Sequence, residues 1–142
     1  MRVLLVRHAR AGDRSSWVGD DAIRPLDAKG RKQAKNLAKT LSELGATRLV
    51  SSPLARCVQT FEPAAKRLDV PLEERNELAE GATRDQVLAL LEELQDAVPA
   101  LSTHGDVIAE LVGWDQPCKK GSIWVLAVES GEIRLESYLP PA

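Results

Sequence analysis

The chain's 142 residues, 44% of them hydrophobic, are enough to bury one core, and the expectation is a single domain over 1–142. Nineteen Lys and Arg against 21 Asp and Glu leave a net charge of −2, which excludes a bulk nucleic-acid binder; any anion site must come from locally clustered arginines. Two cysteines, Cys57 and Cys118, are too few for a disulfide framework, no Cys/His spacing suits zinc, and no apolar run is long enough to span a membrane, so a reducing cytoplasm and no membrane partner are expected.

Val3-Leu4-Leu5-Val6 is a short apolar run that ends abruptly in Arg7-His8-Ala9-Arg10. Such a run reads as a strand buried on both faces of a parallel sheet, and it delivers an arginine and a histidine together at its carboxyl end. A polar stretch from Ala11 to Pro25 follows, carrying Arg14, Ser15, Trp17 and Arg24 with Asp20-Asp21; loops of this length are often functional. Asp27 then caps a helix through Ala34, Leu37, Ala38 and Leu41, stopped at Gly45.

Thr47 to Ser51 reads as a second strand, and Ser52-Pro53 as the N-cap and first position of a helix. Leu54, Val58, Phe61, Ala65 and Leu68 form its apolar stripe, with a kink or break expected near Glu62 because of Pro63. A short strand over Val70 to Glu74, a capping box at Thr83-Arg84-Asp85-Gln86 and a helix through Val87, Leu91 and Leu94 come next. Pro99 to Thr103 is a further buried strand ending in His104, before a helix through Val107, Ile108, Leu111 and Val112 closed by Gly113. Ile123 to Val128 and Ile133 to Leu139 form a hairpin around Ser130-Gly131. Trp114 and Trp124 read as core or core margin, Lys119-Lys120 as a solvated turn, and Cys57 as packing. The fold class is α/β: a three-layer α/β/α arrangement, its central sheet mostly parallel with an antiparallel C-terminal edge hairpin.

Three strand-to-helix junctions thus present Arg7-His8, Arg56 and His104 at one sheet edge, where ligands of open α/β sheets bind. Arginine forks grip phosphate oxygens, and Arg56 lies in a first helical turn where free N–H groups already favour an anion. A neutral imidazole can attack phosphorus, and a charged second imidazole can stabilise the equatorial oxygens; the scheme requires no metal or cofactor.

On these residues the chain resembles the histidine phosphatase superfamily (phosphoglycerate mutase-like). Arg7-His8-Ala9 matches the Arg-His-Gly motif apart from Ala9, which is tolerable where the backbone is not held at positive φ. Arg24-Pro25-Leu26 with Gly30, Gln33 and Ala34, then Ser51-Ser52-Pro53-Leu54-Ala55-Arg56 with Gln59-Thr60, then Ser102-Thr103-His104-Gly105, match further stretches in order. The resemblance implies His8 as the nucleophile, with Arg7, Arg56 and His104 holding the phosphoryl group. It implies Glu80, in Leu78-Ala79-Glu80, as the acid that protonates the leaving oxygen, with Glu77 as the rival. The chain is too short for the insertions of a mutase.

Within the family the chain resembles both small bacterial phosphohistidine phosphatases and the phosphatase domains found after Nudix domains. Protein phosphohistidine is therefore the first expected substrate and nucleoside di- or triphosphates the alternative, with Arg10, Ser15, Trp17 and Arg24 as candidate substrate contacts. A non-catalytic phosphate-binding module is the alternative of another class. The expected partner is a phosphorylated protein or small phosphorylated molecule, not nucleic acid, with the chain a monomer or weak dimer.

Overall fold

The computed structural model describes residues 1–141. Its ten principal elements are β1 (Arg2–Arg7), α1 (Ala28–Glu43), β2 (Arg48–Ser51), α2 (Ala55–Leu68), β3 (Leu72–Glu74), α3 (Arg84–Glu92), β4 (Pro99–Thr103), α4 (Gly105–Val112), β5 (Ile123–Glu129) and β6 (Glu132–Leu139). They build one six-stranded sheet in the order β3-β2-β4-β1-β5-β6. The first four strands of that order run parallel; β5 and β6 run antiparallel to their neighbours. The expected α/β architecture with an antiparallel C-terminal edge is therefore present.

Side-chain alternation explains the three layers. Val3 and Leu5 of β1 point to the face covered by Val87, Leu90, Val107 and Ile108 of α3 and α4. Leu4 and Val6 point to the opposite face, covered by Leu37 and Leu41 of α1 and Phe61 and Ala64 of α2. Because both faces are covered, β1 reads as an unbroken apolar run rather than an alternating one.

Local sequence sets several boundaries as expected. Asp27 caps α1 by accepting from the Gly30 N–H at 2.7 Å, and Thr83 and Gln86 close the full capping box of α3. Ser130 and Gly131 both adopt positive φ, the left-handed pair that a tight hairpin turn demands.

α2 departs from its reading in three ways. It begins at Ala55, so Ser52-Pro53 precede it and Ser52 is not its N-cap. It runs on through Pro63 to Leu68 without a break. Its fully buried residues are Arg56, Cys57, Thr60, Phe61 and Ala64; of the expected apolar stripe only Phe61 is among them, while Val58, Ala65 and Leu68 are half-buried, the last two packed at the core margin. The polar members of that set are buried because the helix starts at the sheet edge, where Arg56 and Thr60 meet groups of the other strand ends.

Candidate active site

The carboxyl ends of the parallel strands are stitched together by backbone hydrogen bonds: His8 N–H to Thr103 O at 3.0 Å, and Ser52 N–H to Ser102 O at 2.9 Å. This brings His8, Ser52 and His104 to one place although they are far apart in sequence. The His8 and His104 rings meet edge to face, with centroids 5.5 Å apart.

Hydrogen bonding assigns the nitrogens of His8. Its Nδ1 stands 2.8 Å from the Ala9 carbonyl, which can only accept, so the proton sits on Nδ1 and Nε2 keeps its lone pair. Burial pushes the pKa of His8 down to about 3, against the hydrogen bond to Ala9, and the neighbouring His104, Arg56 and Arg7 push the same way. His8 is therefore neutral at physiological pH. Ala9 is fully buried and does not adopt positive φ, and its N–H donates to Thr60 Oγ1 at 2.9 Å. Alanine fits there because no left-handed backbone is needed.

His104 is oriented by a relay. Glu80 Oε1, a carboxylate oxygen that can only accept, lies on the Nδ1 side of His104, so the Ser52 hydroxyl, 2.9 Å from Nε2 and itself accepting from the Leu54 N–H at 3.3 Å, donates to Nε2. His104 Nδ1 then carries the proton and faces Glu80 Oε1 at 3.4 Å. Burial lowers His104 to about 4, only partly opposed by Glu80, so the second imidazole is a neutral donor rather than the cation expected from sequence.

Two arginines frame the histidines. Arg56 is fully buried; it donates to Asp21 O at 3.0 Å, pairs with the Asp21 carboxylate at 3.2 Å, and pairs with Glu80. Arg7 donates to the Cys118 carbonyl at 2.6 Å. The Nε atoms of both arginines are buried and have no acceptor, two unmet donors at one edge of the sheet. Glu80 is held in place from two sides: Thr103 Oγ1 donates to Leu78 O, and Asp106 accepts from the Gly81 N–H at 2.8 Å. Glu77 instead pairs with Arg75 at 2.5 Å and does not line the cavity.

Arg7, His8, Arg24, Glu80 and His104 line a cavity of about 640 Å³, whereas the fully buried Arg56 is not among its lining residues. Arg24 is buried and braced by Asp21 at 2.9 Å and the Ala11 carbonyl at 2.5 Å. Arg10, Ser15 and Trp17 are not among the lining residues. Arg10 pairs with Asp27 at 3.5 Å, the Ser15 hydroxyl donates to Asp13, and Trp17 Nε1 donates to the Asp20 carbonyl. Two short 3₁₀ turns, Arg14–Ser16 and Asp21–Ile23, fold this loop on itself under Asp13 and Asp20 caps.

Sequence reasoning missed one wall of the cavity. Trp114, Gln116, Cys118 and Lys120 all line it, and Trp114 is 71% exposed rather than part of the core. Trp124 is core, as expected, with its N–H on the Pro117 carbonyl. Asp21 and Arg14, not among the expected site residues, also join the site: Asp21 pairs with Arg56 at 3.2 Å and Arg14 with Glu80 at 2.8 Å. Cys57 lies 3.5 Å from His104 Nε2, and burial raises its thiol to about 12, so it is an inert packing group as read. Among the described residues, no group of three or more His, Cys, Asp and Glu is placed to hold a metal ion, and no helix is long and apolar enough to cross a membrane.

Residues 3–110 match the family model of the Histidine phosphatase superfamily (branch 1). An 8-oxo-(d)GTP phosphatase of Mycolicibacterium smegmatis is 38% identical over 154 residues; the match takes in 98% of this chain and 48% of that protein, so the chain spans about half its relative's length. A phosphohistidine phosphatase SixA homolog of Haemophilus influenzae is 30% identical over 135 residues, covering 82% of this chain and 80% of its own. Among solved structures, the protein histidine phosphatase SixA complexed with tungstate superposes with a TM-score of 0.83 at 26% identity, over 99% of this chain and 97% of the other.

Proposed function

The chain belongs to the histidine phosphatase superfamily, and on that premise we propose that it is a phosphatase working through a phosphohistidine on His8 without a metal ion. The observation that carries this reading is the His8 Nδ1–H hydrogen bond to the Ala9 carbonyl at 2.8 Å, which leaves the lone pair on Nε2 of a neutral ring. The Nε2–P bond forms as the bond from phosphorus to the leaving atom breaks, and the leaving atom keeps the electron pair. The ring becomes an N-phosphorylated imidazolium whose Nδ1–H is still held by Ala9. Water then attacks phosphorus, the N–P bond breaks, inorganic phosphate leaves and neutral His8 returns.

Arg7 and Arg56, with their two unmet Nε donors, and His104 Nδ1–H hold the equatorial oxygens in this scheme. Glu80 now occupies Arg56 and Arg14, so phosphate must take those donors over before the carboxyl can serve the leaving group. A leaving group that needs little protonation suits that arrangement.

Two substrate classes fit this chemistry: phosphohistidine of a protein, supported by the SixA-named relatives, and nucleotides, supported by the mycobacterial relative. The cavity's extension past the phosphoryl site to Trp114 favours the nucleotide. The test is rapid quenching of the protein with radiolabelled phosphoryl donors in EDTA, with a His8→Ala variant alongside. Acid-labile, base-stable label that the variant lacks is the expected result. Label retained by the variant, or turnover abolished by EDTA, overturns the mechanism.

A further inference from the structure

The unread wall of the cavity is built from one connection. Its lining residues, Trp114, Gln116, Cys118 and Lys120, lie between and within two turns, closed by Gln116 N–H to the Gly113 carbonyl at 3.3 Å and Ser122 N–H to the Lys119 carbonyl at 2.9 Å. The segment's backbone is pinned. The Pro117 carbonyl accepts from Trp124 Nε1 at 2.8 Å, the Cys118 carbonyl from Arg7, and the Lys120 carbonyl from Gln33 at 3.3 Å. The Gly121 N–H bonds to the Arg7 and His8 carbonyls at 3.0 and 3.2 Å, which sets Lys120 beside the nucleophile. Gly121 sits at φ +86°, and a Cβ there would meet Gln33 at 3.1 Å, so the approach requires glycine. The facing wall is α4, through Gly105, Asp106 and Ala109.

We propose that residues 114–120 form a leaving-group subsite for a nucleoside diphosphate, in which Lys120 holds the phosphate that is not transferred and Trp114 stacks on the base. This rests on the nucleotide reading above. The charge balance supports it. Arg7, Arg56 and His104 suffice for one phosphoryl group, yet Lys120 also lines the cavity and has no carboxylate within ion-pair distance among the described residues. Burial and four arginines, Arg7, Arg24, Arg10 and Arg14, all push its ammonium down, as expected where an anion is missing from a cationic cluster.

The span supports it too. Trp114 lies just past the C-terminal end of α4, and the eight residues of that helix cover about 12 Å from the histidine end. In phosphohistidine the imidazole is bonded directly to the transferred phosphorus and would stop short of Trp114. A nucleoside diphosphate inserts a second phosphate and a sugar before its base. Asp106, whose carboxylate is fixed on the Gly81 N–H, also lines the cavity and disfavours a third phosphate. In the reaction the β-phosphorus bonds to His8 Nε2, its bond to the bridging oxygen breaks, and the nucleoside monophosphate leaves with that oxygen and its electron pair. Water then releases inorganic phosphate from His8.

The experiment measures kcat and KM for GDP, ADP, GTP, GMP, pyrophosphate and phosphoramidate on the wild type and on Lys120→Ala and Trp114→Ala. It also measures GDP binding to His8→Ala by quenching of tryptophan fluorescence, with Trp114→Phe as the reference. The nucleoside diphosphates should exceed pyrophosphate, GMP and GTP. Trp114→Ala should lower kcat/KM on GDP about tenfold, mainly through KM, a typical loss for one base stack. Each variant should lose more on GDP than on phosphoramidate. Equal losses on the two substrates, GTP preferred over GDP, or pyrophosphate as good as GDP, would overturn the subsite. Turnover of phosphoramidate through His8 with none of GDP would remove the subsite and leave the mechanism standing. Turnover in His8→Ala would remove the mechanism itself.

Discussion

The Ser52 hydroxyl lies 2.9 Å from His104 Nε2 while Glu80 Oε1 faces Nδ1 at 3.4 Å, and the two contacts together set which nitrogen of the second histidine carries the proton. With Nε2 accepting from serine, the proton is left on Nδ1, toward Glu80 and the oxygens of any bound phosphate. Ser52→Ala removes that bias and leaves a buried nitrogen unpaired. The expected result is a kcat lowered about tenfold with KM little changed, the pattern of a lost transition-state contact. Steady-state kinetics check it, and a change confined to KM would show that Ser52 does not orient His104.

Glu80 and phosphate compete for the same donors, because one carboxylate oxygen engages both Arg56 and Arg14. Glu80→Gln should therefore tighten inhibition by inorganic phosphate, roughly threefold to tenfold for a partly exposed pair. Glu77→Gln, whose parent side chain is held by Arg75 outside the cavity, should leave the inhibition constant unchanged. Equal constants for the wild type and Glu80→Gln would refute the competition.

α1 enters so close to the loop after β1 that Gly30 has no room for a side chain. An added Cβ would lie 1.9 Å from the Arg10 carbonyl oxygen, a backbone atom that already accepts from the Asp27 N–H. Alanine normally favours a helix, yet Gly30→Ala should destabilise the protein by roughly 3 kcal/mol, at the upper end of overpacking costs. Gly12→Ala, at φ +65° but in open space, should cost only about 1 kcal/mol. Urea denaturation of the two variants distinguishes backbone collision from backbone conformation.

Acid should weaken the fold through the histidines. His8 and His104 are held at about 3 and about 4 in the folded chain, below their ordinary 6.5. As pH falls below 6.5 the unfolded chain takes up protons that the folded one refuses, so stability declines toward pH 4 and is flat in this respect above 6.5. At pH 5 the loss should be about 2 kcal/mol for each histidine. Denaturation midpoints at pH 7 and pH 5 test this, with the His8→Gln/His104→Gln double variant expected to lose most of the difference.

Sequence was most informative where chemistry and secondary structure coincide. His8, Arg56 and His104 each sit at a strand-to-helix boundary marked by an apolar run, so their convergence followed from topology alone. The loop residues were harder, because position along a loop says little about direction. Arg10, Ser15 and Trp17 neighbour the nucleophile in sequence, but in the loop folded under the Asp13 and Asp20 caps it is Arg14 and Arg24 that reach the cavity. Trp114 and Lys120 stand far from His8 along the chain, with no helical or strand period to announce them. They reach the cavity through backbone hydrogen bonds that composition does not encode. Arg56 and Thr60 likewise break the apolar stripe of α2 because they serve the strand ends.

The place of β1 in the sheet bears on how the protein folds. Leu4 pairs with Ala100 on one side and Val125 on the other, so the strand that carries the nucleophile meets its neighbours only across most of the chain. Loop closure over such separations opposes early pairing, which predicts slow, non-local folding in which β1 is locked late. The hairpin of β5 and β6 thereby acquires a kinetic duty: until β5 docks, the nucleophile strand has one open edge. Substitutions that delay the hairpin should lengthen the lag before activity appears on refolding, though they touch no group in the cavity.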